Sequence, residues 1–315
     1  MSDAATHPDA LPESVQAVVG ERHRTLDVPV RGGTMRVGLW EPEGDASVAP
    51  TVVAVHGITS SHVAWAELAR AMPDVRIVAP DLRGRGRSRD LPGPYGMPTH
   101  ADDVAAVLHH LGLTQAVAVG HSMGGFVSVV LAHRHPTLVT SLVLVDGGMP
   151  LLPPPGVAPD QMAAAVLGPA ADRLVMTFAD RAAYREFWRD HPAIGAEWTD
   201  LTTAYVDYDL VEEGGAWRAA TRVEALQEDI RELVDGDSVA RALAALEHPT
   251  TWMLAPRGLM DEVPPLYPDP ARARWTGEHP EMRVVDVDDV NHYSIVLLRR
   301  GVEQLVPVVR EALGR

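Results

Sequence analysis

Short, uninterrupted apolar runs recur along the chain: TVVAVHG from Thr51, VRIVAP from Val75, AVAVG from Ala116, SLVLVDGG from Ser141 and TTWMLAP from Thr250, with MRVVDVDD from Met282 as a weaker one. A strand with one wet face alternates apolar and polar positions. A continuous run closed by glycine or proline instead predicts a strand buried on both faces. Helix-like segments separate the runs, among them Ala101 to Leu111, Met123 to His133 and Tyr293 to Leu313. Two β-leaning segments, Arg22 to Val28 and Met35 to Trp40, precede them and are joined by the turn-like VRGGT. Strands alternating with helices predict an α/β protein with a doubly wound, mostly parallel sheet.

The alternation lapses once. From about Met149 to Asp235 no buried-strand run occurs, and the stretch opens with PLLPPPG before turning helix-like in MAAAVLGPAADRLVMTF and RAAYREFW. It carries Phe178, Tyr184, Phe187, Trp188, Trp198, Tyr205, Tyr208 and Trp217, half of the chain's aromatic residues. These rings predict a small helical core, and the position predicts a cap over the carboxyl edge of the sheet with some rings lining a pocket. The expected organisation is a flexible tail over 1–15, a core over 16–148 and 236–315, and a helical cap insertion over 149–235.

Composition narrows the function classes. At 315 residues the chain can bury a large core, and its apolar (46%) and charged (22%) fractions are those of a globular protein. A net charge of −16 argues against nucleic acid or an anionic membrane as partner, since phosphate binding needs a basic surface. With no cysteine there is no disulfide, zinc–thiolate site or thiol nucleophile to consider. The start, MSDAATHPDALPESVQ, lacks the basic and apolar regions of a secretory signal, and no apolar stretch is long enough to span a bilayer. The cytoplasm is the expected location, with a homo-oligomer left open.

Chemistry concentrates around AVGHSMGGF. Gly120, Ser122 and Gly124 fit G-x-S-x-G, with the run AVAVG before the serine and a helix-like segment after it. Such a strained turn lifts the Ser122 hydroxyl clear of the sheet and sets the Met123 amide at a helix N-terminus, where backbone dipoles favour an anion. Of fourteen histidines, His292 in DDVNHYSIVLL lies just past the last strand candidate, at the same carboxyl edge as Ser122, and is the expected general base. The others, such as His109, His110 and His133, read as surface or packing residues. Two aspartates compete to orient the base: Asp146 ends the run LVLVDGG, and Asp261 follows the run TTWMLAP. Either also fits a strand-end aspartate that caps a turn. Position does not separate them.

At these motifs the sequence resembles the α/β-hydrolase fold superfamily. VHGITSSHVAW is similar to the family's His-Gly segment, PDLRGRGRSRD to its D-x-R-G-x-G-x-S segment (Asp81, Arg83, Gly84, Gly86, Ser88), GHSMGG to its nucleophile elbow and VNHY to its histidine turn. The resemblance covers most of 20–150 and 235–315, and covers the expected cap poorly. It implies oxyanion-binding amides at Ile58 and Met123, a structural His56, and bracing roles for Asp81 and Arg83. It also keeps both acids open: the commoner family position corresponds to Asp261, while certain dehalogenases and fungal zearalenone lactonases place the acid where Asp146 stands. The loop around Asp261 departs from the usual form, because Glu262 and prolines follow it. The implied activity is hydrolysis of a small-molecule carboxylic ester or lactone through an acyl-enzyme, with no cofactor and no metal. The aromatic cap predicts a bulky apolar substrate such as an aromatic lactone. A carbon–carbon bond hydrolase and a ligand receptor or signalling protein that retains the triad are the alternatives.

Overall fold

Eight strands form one sheet: β1 (His23–Val30), β2 (Gly33–Trp40), β3 (Thr51–Val55), β4 (Arg76–Pro80), β5 (Ala116–His121), β6 (Val139–Val145), β9 (Thr250–Leu254) and β10 (Arg283–Asp286). The computed structural model describes residues 11–152 and 167–315. Strand order is β1-β2-β4-β3-β5-β6-β9-β10. Only β2 runs against the rest: it pairs antiparallel with both β1 and β4, while every other pairing is parallel. Each apolar run of the sequence is thus a strand. Both faces of the central strands are covered, which is why all five residues of β3 and all six of β5 are buried.

The helix Met97–His110 follows β4, and Met123–Arg134 follows β5 and packs on Met97–His110 and against both β5 and β6. The segment expected to be helical from Tyr293 to Leu313 is interrupted. A single turn, Ser294–Leu297, stops at the extended Leu298 and a longer helix, Arg299–Ala312, begins after it. The chain passes from β3 outward to β4 on one side, then returns to place β5 on the other side of β3. At such a reversal the loops leaving the two strands diverge and open a crevice at their carboxyl ends. The loops that leave β3 and β5 carry Ile58 and Ser122.

Between β6 and β9 the chain inserts the helices Arg181–Arg189, Asp200–Tyr208, Val223–Asp235 and Asp237–Ala244, along with shorter turns. The expectation of a purely helical insertion needs one correction. β7 (Leu210–Glu213) and β8 (Ala216–Ala219) form an antiparallel hairpin there. Its strands are too short to give an apolar run, and its signature is the Gly214-Gly215 turn, both residues at positive φ (62 and 78°) as a two-residue hairpin requires. The helical piece expected from Met162 lies outside the described residues up to Leu167. Among the described residues no helix is long and apolar enough to cross a membrane.

Candidate active site

Ser122 is the hinge between β5 and the helix Met123–Arg134, at φ 53° and ψ −125°. A non-glycine residue held there stores on the order of 1–3 kcal/mol of backbone strain. The neighbours make the turn tight enough to sustain it. A side chain on Gly124 would run into the Val55 carbonyl, and one on Gly120 into the backbone of Gly124. The spacing of the glycines is therefore a packing requirement of strand, turn and helix against β3. Met123 begins the helix, so its amide has no acceptor within the helix. Neither it nor the Ile58 amide donates to a backbone carbonyl among the described residues.

His292 enters from the loop after β10, with its Nδ1 at 2.6 Å from Asp146 Oδ2. Both side chains are almost fully buried, 4% and 1% exposed. A carboxylate only accepts, so Nδ1 carries a proton, which in a neutral imidazole leaves Nε2 as the acceptor. Asp146, one residue past β6, is fixed from β9: its amide donates to Met253 O at 2.8 Å and its Oδ1 accepts from Ala255 N at 3.2 Å. Ser122 and His292 border the same cavities.

Asp261 is not brought to the histidine. Its Oδ1 accepts from Arg257 Nε at 2.7 Å and from Asn291 Nδ2 at 2.9 Å, and its side chain is 39% exposed. Partial burial works to raise its carboxyl, but Asn291 and Arg257 outweigh that and hold it below the ordinary range. Asn291 in turn accepts from the Tyr293 and Ser294 amides, which starts the turn that carries His292. Asn291 has no motif of its own, yet an asparagine in a turn before a helix is what an Asx turn uses, accepting from amides two and three residues on.

The remaining polar groups brace these loops. His56 accepts from Leu82 N at 2.9 Å through Nε2, so its Nδ1 donates to Gly57 O at 2.7 Å. Burial keeps it neutral, with its pKa down at about 4. His121 donates from Nε2 to the His292 carbonyl at 2.8 Å, and burial together with the nearby His292 holds its pKa well below the usual histidine value. Asp81 accepts from His62 Nδ1 at 2.8 Å, from Tyr208 Oη at 2.7 Å and from the Arg87 amide. Burial alone would raise that carboxyl, but the facing His62 keeps it well below the carboxylate range. Arg83 makes a two-pronged pair with Asp103, both bonds 2.9 Å.

Two small, unlike cavities of about 10 and 20 Å³ border Ser122. One is walled by Phe126, Leu151, Leu167, Leu233, Leu259 and Leu266. The other adds Thr59, Ser60, His121, Tyr205 and Tyr293. No carboxylate or guanidinium lines either cavity among the described residues. Of the insertion's aromatic residues, Tyr205 reaches the second cavity; Phe178, Tyr184, Phe187 and Trp188 pack edge to face on one another. No group of three or more histidines and carboxylates that could hold a metal occurs among the described residues.

A sequence model described as the alpha/beta hydrolase fold matches residues 50–203. Over 117 residues the chain is 37% identical to "Lipase LipV" of Mycobacterium tuberculosis, which covers 37% of this chain and 43% of that protein. Over 106 residues it is 39% identical to a "Putative carbamate hydrolase RutD" of Caulobacter sp., which covers 33% and 40% respectively. The matches thus span less than half the length of these relatives. Among solved structures, E-2-(acetamidomethylene)succinate hydrolase superposes with a TM-score of 0.72 at 21% identity, over 93% of this chain and all of the other. A thermophilic esterase from Thermogutta terrifontis superposes with 0.62 at 20% identity, over 92% and 98%. The sheet order, the strained turn at the end of β5 and these likenesses agree, and the chain has the α/β-hydrolase fold.

Proposed function

We propose that the protein is a serine hydrolase acting on a neutral carboxylic ester or lactone. In this reading Ser122 attacks the carbonyl and His292 Nε2 takes its proton. Asp146 holds the imidazole in the tautomer that can accept and stabilises the cation that forms. The Ile58 and Met123 amides receive the oxyanion, a contribution worth about a hundred- to a thousandfold per donor in comparable sites. His292 then protonates the leaving alcohol, and water repeats the sequence on the acyl-enzyme. The reading rests on one observation above the rest: a buried 2.6 Å hydrogen bond between His292 and Asp146, beside a cavity that Ser122 shares.

The lining supports the choice of substrate. A buried carboxylate on a substrate needs a paired cation, and the described walls offer none, so a neutral substrate fits better than a dicarboxylate such as the succinate named for the structural relative. The leucines beside Ser122 give an aliphatic acyl group apolar neighbours, although the cavity there, about 10 Å³, must widen to admit a chain. The aromatic lactone expected from the insertion's rings loses its main support, since those rings pack together. The insertion lies over the carboxyl edge in our reading and acts as the cap. The lipase relative agrees with an ester, and the carbamate hydrolase relative keeps a carbamate as the second substrate class.

The test is a screen of p-nitrophenyl esters of graded chain length, with a carbamate and an aromatic lactone alongside, plus fluorophosphonate labelling read by mass spectrometry. Label on Ser122 and turnover that rises with acyl length are expected. Label on another serine, with turnover retained in Ser122→Ala, refutes the proposal.

A further inference from the structure

Three successive carbonyls of the loop after β3 are each held by a buried side chain. Gly57 O accepts from His56 Nδ1 at 2.7 Å and from the Ser60 amide at 3.2 Å. Ile58 O accepts from Arg85 Nε at 2.9 Å, and Thr59 O from Arg173 Nη2 at 3.1 Å. His56 and Arg85 belong to loops of the sheet. Arg173 comes from the insertion, far along the chain.

Arg173 is fully buried. Burial works against its charge, but the facing Tyr184 and Asp209 hold the guanidinium protonated. Asp209 Oδ2 lies 3.1 Å from Nη2, the Tyr184 hydroxyl donates to the same carboxylate, and the guanidinium stacks 4.9 Å from the Trp188 ring. A buried ion pair is an expensive way to fill space, and an apolar side chain of similar volume would do that at less cost. What a guanidinium supplies and an apolar group does not is a rigid donor aimed at Thr59 O while it stays tied to Asp209. Arg85 repeats the arrangement: it pairs with Asp229 on the helix Val223–Asp235, again part of the insertion.

We propose that Arg173 is a positioning residue for the oxyanion loop. By fixing the Thr59 carbonyl it anchors the Thr59–Ser60 peptide, next to the Ile58–Thr59 peptide that Arg85 holds and two along from the one that carries the Ile58 N–H, so that seating of the insertion and alignment of the Ile58 amide are coupled along the loop. This rests on the hydrolase reading above for its catalytic consequence, and on geometry alone for the clamp.

Two variants test it. Arg173→Lys keeps a charge for Asp209 but cannot bridge Asp209 and Thr59 O together. Arg173→Met with Asp209→Asn removes both charges, so that no buried carboxylate is stranded. The first readout is hydrogen–deuterium exchange over residues 56–62, which needs no turnover. We expect about tenfold faster exchange there, as for a segment that has lost a local anchor, with the sheet's exchange unchanged. The second is kinetic: kcat should fall about ten- to a hundredfold, since small misplacements of a catalytic group cost that much. KM for the best ester should stay near the wild-type value, and affinity for a trifluoromethyl ketone that forms the tetrahedral adduct should fall with kcat. A folded variant of either kind whose exchange, kcat and ketone affinity all match the wild type overturns the proposal, even if its unfolding midpoint drops. If the wild type neither labels at Ser122 nor hydrolyses an ester while exchange still rises in the variants, the clamp stands and the hydrolase reading fails.

Discussion

Replacing Asp146 by asparagine tests the proposed triad most sharply, because both oxygens of Asp146 are already committed. Oδ1 accepts from Ala255 N and Oδ2 from His292 Nδ1. The Ala255 N–H can only donate, so the new amide must either turn its oxygen to Ala255 and its NH₂ to His292, or the reverse. The reverse sets two donors against each other in a buried place, at a cost of about 1–3 kcal/mol, which favours the first arrangement by roughly ten- to a hundredfold or more. In that arrangement His292 Nδ1 must accept, its proton moves to Nε2, and Nε2 can no longer take the proton that the proposed mechanism assigns to it. The carboxylate charge that stabilises the imidazolium is lost as well. Together we expect kcat to fall about 10⁴-fold, the loss that the same substitution causes in a comparable triad. The parallel change Asp261→Asn removes a partly exposed pair with Arg257, worth about 0–1 kcal/mol, and leaves a side chain that still reaches Asn291. Its kcat should stay within about threefold of the wild type, given that small cost. Stopped-flow acylation by a p-nitrophenyl ester reads both variants, with urea unfolding to verify that each is folded. A dead Asp261→Asn beside an active Asp146→Asn would refute the reasoning. If both stayed active, Glu262, whose Oε2 accepts from the Met260 amide on the same loop, would be the next carboxylate to replace.

Ser122→Ala should fold and lose about 10⁴-fold or more in kcat, whereas Ser122→Gly, which suits φ 53°, should be equally inactive but unfold at higher urea by about 1 kcal/mol relative to the alanine variant. Gly124→Ala drives a Cβ into the Val55 carbonyl and should cost several kcal/mol, on the order of the largest core substitutions, with soluble yield and urea midpoint as the readouts. Acid should destabilise the fold through its buried neutral histidines. The folded pKa of His56 is depressed to about 4 and that of His121 lies well below the usual value, so below about pH 6.5 the unfolded chain binds more protons than the native one. Stability should fall as pH drops from about 6.5 toward 4, by up to on the order of 1 kcal/mol per pH unit for each, and His56→Gln should flatten the slope if it folds. A urea midpoint constant across that window would contradict this.

The sheet was legible because doubly covered strands leave a plain mark. TVVAV and AVAVG are buried at every position, and the other runs closed by glycine or proline are buried at nearly every one. The hairpin β7–β8 was not legible by the same rule, since strands of four residues with LVEE and AWRA carry neither a run nor a clear alternation. Gly214-Gly215 was the one available sign. The aromatic residues of the insertion were legible as a small core, but not which of them would meet the cavity. A ring has the same apolar value whether it meets another ring or a ligand, and here Tyr184, Phe187 and Trp188 meet each other while leucines spread over distant segments wall the cavity. Leucines are too common in any core for their role at Leu151, Leu167, Leu233, Leu259 and Leu266 to show in one dimension.

The two aspartates mark where sequence reasoning stops for a physical reason. Both Asp146 and Asp261 sit in loops that leave neighbouring parallel strands, and both adopt positive φ, at 44 and 60°, as aspartate tolerates in turns. Chain order puts both between the serine and the histidine. What distinguishes them is how far each loop travels before it turns. Asp146 follows β6 with no intervening residue, and β6 is hydrogen-bonded to β5, the strand that ends at Ser122. Gly147 then packs directly on the Ser122 backbone, which pins the aspartate beside the Ser122 turn. Asp261 lies seven positions past the end of β9, far enough for the loop to carry it to the surface and to Arg257. The glycine pair after Asp146 carried this information in the sequence: a residue without a side chain directly after a strand-end acid is what a close approach to the neighbouring turn requires. Reading it as such depends on knowing that β6 lies next to β5, and strand adjacency is a property of the fold rather than of either motif.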